Sequence, residues 1–379
     1  MSVNRHFDVI VVGCGAMGSA ITYHLARRGK RVLGLDRYDI PNSRGSSHGV
    51  NRIIRLAYYE DPAYVPLLYR SYELWRELEL DAAEQLLHIT GSVDASAEDG
   101  EVFLGSLASC ELHGLQHKVL SSADLSRQYP GFQLPESHLA LVQPDGGFLM
   151  SERCIVAHAN LAMAAGASIH GRERVTSITP SPIGVRVSTD RSTYESDQVV
   201  LSAGAWIPDL VPVLQPLLEP ERQVLAWFQP IEPGLFDPSR FPVFNLTVPE
   251  GRYYGFPVFG IPGFKVGRYH HLEESIHPDT MNREPQLTDE SILRSFTKKY
   301  FPKAAGPVMT MRSCIFTNTT DEHFIVDRTP GNDQIIAVSP CSGHGFKFSS
   351  VIGEIVADLA VDGSTRHDIS LFGLSRFGL

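Results

Sequence analysis

Residues 7–18 of the 379-residue chain read FDVIVVGCGAMG, and this stretch decides the fold of the N-terminal part. The run at 7–12 predicts a buried parallel strand, because it is short, largely apolar and ends at a glycine. Residues 16–28 then predict a helix, and residues 31–35 predict a second strand. We therefore expect a strand–helix–strand unit at the start of the chain.

The glycines of this stretch have the spacing of a dinucleotide-binding fingerprint. Gly13 permits the tight turn, Gly15 lets a pyrophosphate approach the backbone, and Gly18 allows the helix to pack closely on the strand. The pyrophosphate would meet the free N–H groups at the helix N-terminus, and Asp36 places a carboxylate where ribose hydroxyls bind. The alternative is a tight turn with chance glycines, but strand, helix and acid are all in place. The pattern predicts a bound dinucleotide without choosing between NAD and FAD.

Size and composition are those of a soluble globular protein of about two domains. The chain is 43% hydrophobic and 20% charged, and its formal net charge is -10 at pH 7. This charge argues against a nucleic-acid partner, whose phosphates would be repelled. No apolar run approaches the roughly 18 to 20 residues that span a bilayer, so we expect no membrane association.

The N-terminus and the cysteines favour a cytoplasmic protein. The first six residues lead directly into the predicted strand, without the basic stretch and apolar core of a signal peptide. The five cysteines are widely spaced and form no C-x-x-C pair, which indicates a reducing compartment and argues against a disulfide framework or a zinc site. The histidines show no metal-ligand spacing with a nearby acid. We therefore expect no bound metal.

The rest of the chain alternates between nucleotide-binding and strand-rich patterns. Asp61-Pro62 has the chemistry of a helix start. We predict helices at 62–79, 151–165, 288–300 and within 351–359, and strands at 167–170, 173–178, 183–188, 197–202 and 335–339. Residues 220–320 are rich in strand formers, aromatic residues, proline and glycine, which predicts an antiparallel sheet.

These patterns predict an α/β protein, α+β overall, of two interleaved domains. A Rossmann-like domain with a parallel sheet would comprise residues 1–85, 151–219 and 321–379. A substrate domain built on a mostly antiparallel sheet would comprise residues 86–150 and 220–320.

Three cationic side chains are candidates for a site. Arg52 and Arg55 follow a glycine-rich loop, and their guanidinium forks suit carboxylates and phosphates; a structural ion pair explains them equally well. Lys265 alternates with apolar residues, so the solvent-facing side of a strand is its commoner interpretation. If it is buried, its ammonium is a strong local charge with a perturbed pKa.

Two glycine-containing turns follow predicted strands. Residues 342–348, SGHGFKF, bring backbone N–H groups and the start of a helix near a ligand, where a flavin ring or a substrate carboxylate would be stabilised. A plain connector is the alternative, and Lys347 between two phenylalanines makes it less favoured. For residues 202–206, SAGAW, an ordinary strand-to-helix turn is the better interpretation.

With these residues assembled, the chain resembles the monomeric sarcosine oxidase and N-methyltryptophan oxidase family of flavin amine oxidases. Four motifs carry the resemblance: G-S-x-H-G-x-x-R-I-I-R, Y-Y-G-F-P, D-E-H-F-I-x-D and S-G-H-G-F-K-F, which begin at residues 45, 253, 321 and 342. The resemblance implies a monomer with covalent FAD that oxidises a secondary amine bearing a carboxylate, with O2 as acceptor. A dehydrogenase using another electron acceptor, and an oxidase of a cyclic imino acid such as pipecolate, remain alternatives. An NAD-dependent dehydrogenase is a further rival.

The resemblance also implies residue roles. Cys314 would carry the flavin at its 8α-methyl group, and Arg55 and Lys347 would hold the substrate carboxylate. Lys265 would activate oxygen near the flavin. The other implied residues are His48 and Arg52 beside the flavin, Tyr254 over the substrate pocket, and the cofactor-binding residues Gly13, Gly15, Gly18, Asp36, Val175, Gly343 and Gly345, with Lys347 also near the flavin.

The chain departs from the family pattern around the expected pocket. Phe316 stands two residues after the cysteine, where the family has a tyrosine, and Asn245 stands where methionine is common. Tyr269 or His270 occupies the place of a pocket histidine, and Pro340-Cys341 replaces Gly-Phe. These departures concern the identity of the substrate more than the type of reaction.

Overall fold

The computed structural model describes residues 6–379, so the interpretation of the first five residues lies outside the described part of the chain. The α-helices are α1 Ala16–Arg27, α2 Val65–Ala82, α3 Glu101–His113, α4 Ser122–Gln128, α5 Ser151–Ala164, α6 Ile207–Leu210, α7 Leu287–Tyr300 and α8 Ser349–Val361. The strands up to residue 201 are β1 His6–Val12, β2 Val32–Leu35, β3 Asn51–Ile54, β4 Leu87–Ile89, β5 Ser92–Ala97, β6 Lys118–Ser121, β7 His138–Gln143, β8 Gly147–Met150, β9 Ser168–His170, β10 Val175–Ser181, β11 Gly184–Thr189 and β12 Thr193–Leu201. The later strands are β13 Glu219–Phe228, β14 Val243–Val248, β15 Gly251–Phe256, β16 Phe264–Arg268, β17 Val308–Asn318, β18 Ile325–Thr329 and β19 Asn332–Ser339.

The first eight-stranded sheet has the order β10-β11-β12-β1-β2-β9, and β19 and β18 join it at β12. β1 lies between β12 and β2 and is parallel to both. Its side chains are buried on both faces: Val9 and Val11 belong to one apolar core, and Ile10 and Val12 belong to another. This burial on two faces explains why β1 reads as an apolar run in the sequence.

Helix α1 crosses the end of β1 at very short range, where it also packs against α5 and α8. A Cβ atom on Gly18 would lie 1.7 Å from the carbonyl oxygen of Gly13, so any larger residue would push the helix away from the strand. Gly13 itself has φ +93°, a conformation that glycine adopts without strain. The geometry therefore shows the helix–strand packing that the glycine spacing predicts.

The second eight-stranded sheet has the order β17-β13-β16-β15-β14-β5-β7-β6 and is antiparallel except for the parallel pair β14–β5. One face packs a core rich in phenylalanine, which includes Phe244, Phe264 and Val266. Because side chains alternate between the faces of a strand, the neighbours of these residues point to the opposite face. That face carries Asp94, Asn245, Arg252, Tyr254, Lys265 and Cys314.

The structure confirms the mixed α/β class with a parallel and an antiparallel sheet. The predicted helix at 62–79 begins as a 3-10 turn, Pro62–Tyr64, and α2 then continues to Ala82. Asp61 caps the turn, since its carboxylate accepts a hydrogen bond from the N–H of Ala63 at 2.7 Å. The limits of the two domains stay a prediction; a small sheet of β3, β8 and β4 joins segments assigned to both.

Within residues 6–379, no helix combines the length and the apolar composition needed to cross a membrane.

Candidate active site

A long cavity opens at the carboxyl ends of β1, β12 and β19, beside one face of the antiparallel sheet. Most of the predicted site residues line it: Gly13, Gly15, Asp36, Arg52, Val175, Tyr254, Cys314, Gly343, Gly345 and Lys347. Four others, Gly18, His48, Arg55 and Lys265, do not line the cavity. The three of these that carry side chains are buried behind its wall.

One end of the cavity is built by the β1–α1 turn. A Cβ atom on Gly15 would have no heavy atom within 4 Å, so the backbone there faces open space. The Asp36 carboxylate lies next to this space and accepts hydrogen bonds from the N–H groups of Cys14 and Tyr38, both at 2.8 Å. Burial raises the pKa of Asp36, and these two backbone bonds oppose that rise. The turn therefore fits the diphosphate and ribose of a dinucleotide.

Residues 202–206 also line this end, which corrects their interpretation as an ordinary connector. The N–H of Ser202 donates to the carbonyl of Val12 at 2.9 Å, which holds the end of β12 beside the glycine turn. Trp206 lies on the cavity wall as well. Small residues at a strand end gave the only sequence signal, and parallel pairing of β12 with β1 was needed to place them here.

Cys314, on β17, lies in the wall with a cation beside its sulfur. The Sγ atom is 3.7 Å from Nη2 of Arg52 and 3.5 Å from the carbonyl oxygen of Ser46. Arg52 is held in place because it donates to the carbonyls of Ser46 at 2.7 Å and Asn51 at 2.9 Å. The Cys314 sulfur therefore lies at the cavity wall beside a fixed positive charge.

His48 is buried near this loop, and only 3% of its surface is exposed. Neither ring nitrogen has a hydrogen-bond partner. Burial lowers the pKa of His48 to about 3, so the ring is neutral near pH 7. Two unpaired buried nitrogens leave hydrogen-bonding capacity that a bound group can satisfy.

Lys265 is 1% exposed, so its interpretation as a solvent-facing strand residue is wrong. Its Nζ donates to the carbonyls of Gly49 at 2.9 Å and Asn51 at 2.7 Å, and to the Asn51 side-chain oxygen at 2.8 Å. Burial lowers the pKa of Lys265 well below its ordinary value. Three oxygen acceptors nevertheless match the three hydrogens of an ammonium group, so this arrangement holds the charged form.

Arg55 shows the ion pair that was one of its two interpretations. Its Nη2 donates to both carboxylate oxygens of Glu60, at 2.9 and 2.7 Å, and its Nε lies 3.6 Å from Oδ1 of Asp94. Burial by itself would raise the pKa of Glu60. The adjacent Arg55 charge outweighs this effect, and the pKa falls to about 2. Sequence reasoning missed both acids. Glu60 could have been recognised, because it follows Arg55 by only five residues. Asp94 could not, because it lies on a separate strand, β5.

Lys347 lines the cavity from the 3-10 turn Phe346–Phe348 that precedes α8. Its Nζ donates to the carbonyl oxygen of His344 at 2.7 Å. Burial lowers the pKa of Lys347 to about 7, and the nearby Glu60 opposes that fall. The lysine is therefore a cation whose charge changes near neutral pH.

Of the two candidates for the pocket position after Lys265, Tyr269 lines the cavity and His270 does not. Tyr269 lines the cavity, and its ring lies 5.1 Å from that of Tyr254 and 5.7 Å from that of Phe316. His270 instead contacts two carboxylates, at 2.7 Å from Glu221 and 3.1 Å from Glu322. The pocket is therefore aromatic at this point.

Asn245 does not line the cavity but pairs with a buried acid. Its amide donates to Oδ1 of Asp94 at 2.7 Å, and the other oxygen of Asp94 has no partner. Burial raises the pKa of Asp94 to about 6.

No group of three or more histidine, cysteine, aspartate or glutamate side chains within residues 6–379 is arranged to hold a metal ion.

Comparison with known proteins places this geometry in context. The FAD dependent oxidoreductase family matches residues 8–359 of the chain. Monomeric sarcosine oxidase from Bacillus sp. strain B-0618 is 41% identical, over 99% of this chain and 97% of that protein. N-methyl-L-tryptophan oxidase from Citrobacter koseri is 34% identical, over 98% of this chain and 99% of that protein.

Two solved structures are similar along nearly the whole chain. NikD, described as an unusual amino acid oxidase essential for nikkomycin biosynthesis, superposes with a TM-score of 0.85 at 27% identity, covering 98% of both chains. L-proline dehydrogenase from P. horikoshii superposes with a TM-score of 0.86 at 21% identity, covering 99% of both chains, and supports the fold alone.

Proposed function

Because the chain belongs to the FAD-dependent oxidoreductase family, we propose that it oxidises a secondary amine bearing a carboxylate, such as sarcosine or another N-methyl amino acid, with O2 as acceptor. The observation that carries this proposal is one cavity that brings together a dinucleotide turn, Cys314 beside Arg52, and the cation of Lys347. The products are hydrogen peroxide and an imine, which water hydrolyses to formaldehyde and the primary amino acid when an N-methyl group is oxidised.

The residues of the cavity fit FAD. Gly13, Gly15, Asp36 and Val175 surround the end suited to its ADP portion, and Gly343 and Gly345 line the end suited to its ring. His48 and Arg52 supply unpaired or cationic groups close to that end. When bound, FAD accepts two electrons from the C–N unit of the amine and passes them to oxygen.

We infer that Cys314 holds the flavin covalently through a thioether at its 8α carbon. The sulfur lies on the cavity wall, and Arg52 keeps a positive charge 3.7 Å from it. Cys341 also lines the cavity, but burial raises the pKa of its thiol to about 11, so its thiolate is scarce at neutral pH.

The substrate carboxylate is assigned to Lys347 and Arg55. Lys347 reaches the cavity directly, whereas Arg55 contributes from behind the wall, where Glu60 balances part of its charge. Fixing the carboxylate places the reacting carbon, and this positioning lowers the entropic part of the barrier. Tyr254, Tyr269 and Phe316 form an aromatic wall against the rest of the substrate.

Lys265 is assigned to the oxygen step. Its ammonium is fixed by three oxygen acceptors next to the loop that carries His48. A preorganised positive charge stabilises the negative charge that develops when oxygen is reduced. The chain would act as a monomer, by analogy with the relatives that are named monomeric, and its free cysteines fit the reducing cytoplasm.

A panel of N-methyl amino acids tests the proposal through hydrogen peroxide release by the purified yellow protein under air. We expect turnover of at least one N-methyl amino acid and none of the corresponding ester, which lacks the carboxylate. Reduction of the flavin by the amine without peroxide would show instead a dehydrogenase with another acceptor.

Acid precipitation tests the covalent link with a matched pair of variants. The wild type and Cys341→Ser should give yellow pellets, and Cys314→Ser should give a colourless pellet with its flavin in the supernatant. A yellow Cys314→Ser pellet would place the attachment elsewhere.

A further inference from the structure

Arg252, on β15, is a cation beside the aromatic wall of the cavity, and it has no role in the proposed reaction; like Tyr59, it is not one of the residues that line the cavity. It lies two residues before Tyr254 and therefore points to the same face of the sheet. Its side chain is 18% exposed. The guanidinium carbon lies 4.0 Å from the ring centre of Tyr269, which lines the cavity, and 5.4 Å from that of Tyr59.

The guanidinium of Arg252 makes no hydrogen bond to any residue in the range 6–379. Its one ionic contact is Oε2 of Glu322, at 3.7 Å, which is beyond hydrogen-bonding distance. The other oxygen of Glu322 lies 3.1 Å from His270, whose pKa is raised to about 9 by Glu221 and Glu322. Glu322 is therefore shared between two cations, and the N–H donors of Arg252 remain without acceptors.

A second unsatisfied group lies against the same arginine. The hydroxyl of Tyr59 is buried and has no close hydrogen-bond partner, although it lies near enough to the Tyr269 side chain to interact with it. Arg55 stacks on the Tyr59 ring too, with its guanidinium carbon 4.3 Å from the ring centre. Tyr59 thus separates two arginines: Arg55, which Glu60 neutralises, and Arg252, which has free donors.

Largely buried polar groups without partners are costly, and their presence at a site indicates a ligand that completes them. A planar fork of N–H donors matches the two oxygens of a carboxylate. The aromatic rings on which Arg252 stacks restrict its movement, so little further order is lost when an anion binds.

We infer that Arg252, with the Tyr59 hydroxyl, forms a second anion subsite that binds a side-chain carboxylate of the substrate. The inference rests on the proposed function, because it names the class of amine: N-methyl amino acids with an acidic side chain, such as N-methylaspartate and N-methylglutamate. Lys347 and Arg55 hold the α-carboxylate, and Arg252 selects the second acid.

The first test compares N-methyl-L-glutamate with N-methyl-L-glutamine, which has nearly the same shape but no side-chain charge. We expect kcat/KM for the acid to exceed that for the amide. Arg252→Met should lower kcat/KM for the acid about 10- to 100-fold, the usual effect of losing a charged hydrogen bond, and leave sarcosine nearly unchanged. Arg252→Lys should recover part of the loss. Equal losses for all three amines, or no preference of the wild type for the acid, would overturn the inference.

Arg268→Met is the matched control. Arg268 lies on the neighbouring strand β16 at the position paired with Tyr253, so its side chain is on the opposite face of the sheet. Its loss removes the same charge and should not change the ratio between acid and amide. A ratio that falls equally in both variants would mean that Arg252 acts only through overall charge, which contradicts a subsite.

Binding of unreactive thioethers separates this inference from the proposed function. Methylthioacetate has one carboxylate, and 2-(methylthio)pentanedioate has two; sulfur replaces the amine nitrogen in both. The diacid should raise the melting temperature of the wild type more than the monoacid does, and Arg252→Met should remove the difference. If this pattern holds while no amine yields peroxide, the subsite stands and the proposed reaction fails. If the diacid binds Arg252→Met as well as the wild type, the subsite is refuted.

Discussion

Lys347 should make the binding of a carboxylate ligand depend on pH between 6 and 8. Its pKa is lowered to about 7 by burial, so the ammonium is present at lower pH and is lost as pH rises through that value. An anion binds the charged form better, and the dissociation constant must therefore increase with pH. Because the charged fraction falls from about nine-tenths at pH 6 to about one-tenth at pH 8, the increase is about 10-fold.

A neighbouring acid changes the shape of this dependence but not its sign. Asp94 lies 3.6 Å from Arg55, and burial raises the pKa of its carboxyl to about 6. Its ionisation as pH rises adds a negative charge near the assigned carboxylate position, which weakens binding at the lower end of the range. Glu60 stays ionised throughout, since its pKa is about 2, and so contributes no slope.

The assay is titration of the flavin absorbance with methylthioacetate, which has no amine to titrate and does not turn over. Wild type should show an increase of the dissociation constant from pH 6 to pH 8 that exceeds the about 10-fold expected from Lys347 alone, and Lys347→Met should bind weakly with a small residual slope. In Asp94→Asn, the dissociation constant should still rise with pH because Lys347 loses its proton, but the additional rise caused by ionisation of Asp94 should be absent. The exposed Lys118 serves as a control, and Lys118→Met should behave as wild type. A constant affinity in wild type, or a full slope in Lys347→Met, would refute the reasoning.

Three further predictions concern Lys265, the glycine turn and a buried ion cluster. Lys265→Met removes the cation that three oxygen acceptors hold in place, so stopped-flow measurements should show flavin reoxidation slowed far more than reduction; equal slowing would count against oxygen activation. Gly18→Ala should lower both the melting temperature and the flavin content, because its Cβ would lie 1.7 Å from the Gly13 carbonyl, whereas Gly234→Ala, with nothing within 4 Å, should change neither. Arg222→Met leaves the buried acid Asp289 without the guanidinium that binds it at 2.8 Å, and the free energy of unfolding in urea should fall by about 3–5 kcal/mol. Substitution of an exposed arginine, Arg186→Met, should lower it by less than about 0.5 kcal/mol. Equal losses would mean that burial of the pair is irrelevant.

Short-range signals sufficed for the nucleotide-binding turn. Gly13, Gly15, Gly18 and Asp36 are close in sequence, and their chemistry depends only on a strand that leads into a helix. The same holds for Asp61, whose cap precedes the helix predicted there. These features were predictable because the interacting groups lie within about 25 residues of one another.

Long-range pairing limited what could be predicted elsewhere. The apolar neighbours of Lys265 show that it faces away from the core, but the sequence does not reveal that the other face of the sheet is covered by protein rather than water. Asp94 meets Asn245 only because β5 pairs with β14. Arg252 and Tyr59 likewise meet only in the folded chain, so neither carried a recognisable signal.

The alternation of side chains on the antiparallel sheet limits how this family can diversify. Exchanging a residue at every second position of β14, β15 or β16 changes the side chains on the face of the sheet nearest the cavity and leaves the phenylalanine core untouched. Adding or deleting one residue within these strands has the opposite effect, because a shift of one residue in register would turn Lys265 into the core and Val266 to the opposite face of the sheet. Variation in length must therefore be confined to the connecting loops, and new substrates must be reached by substitution within strands of fixed length.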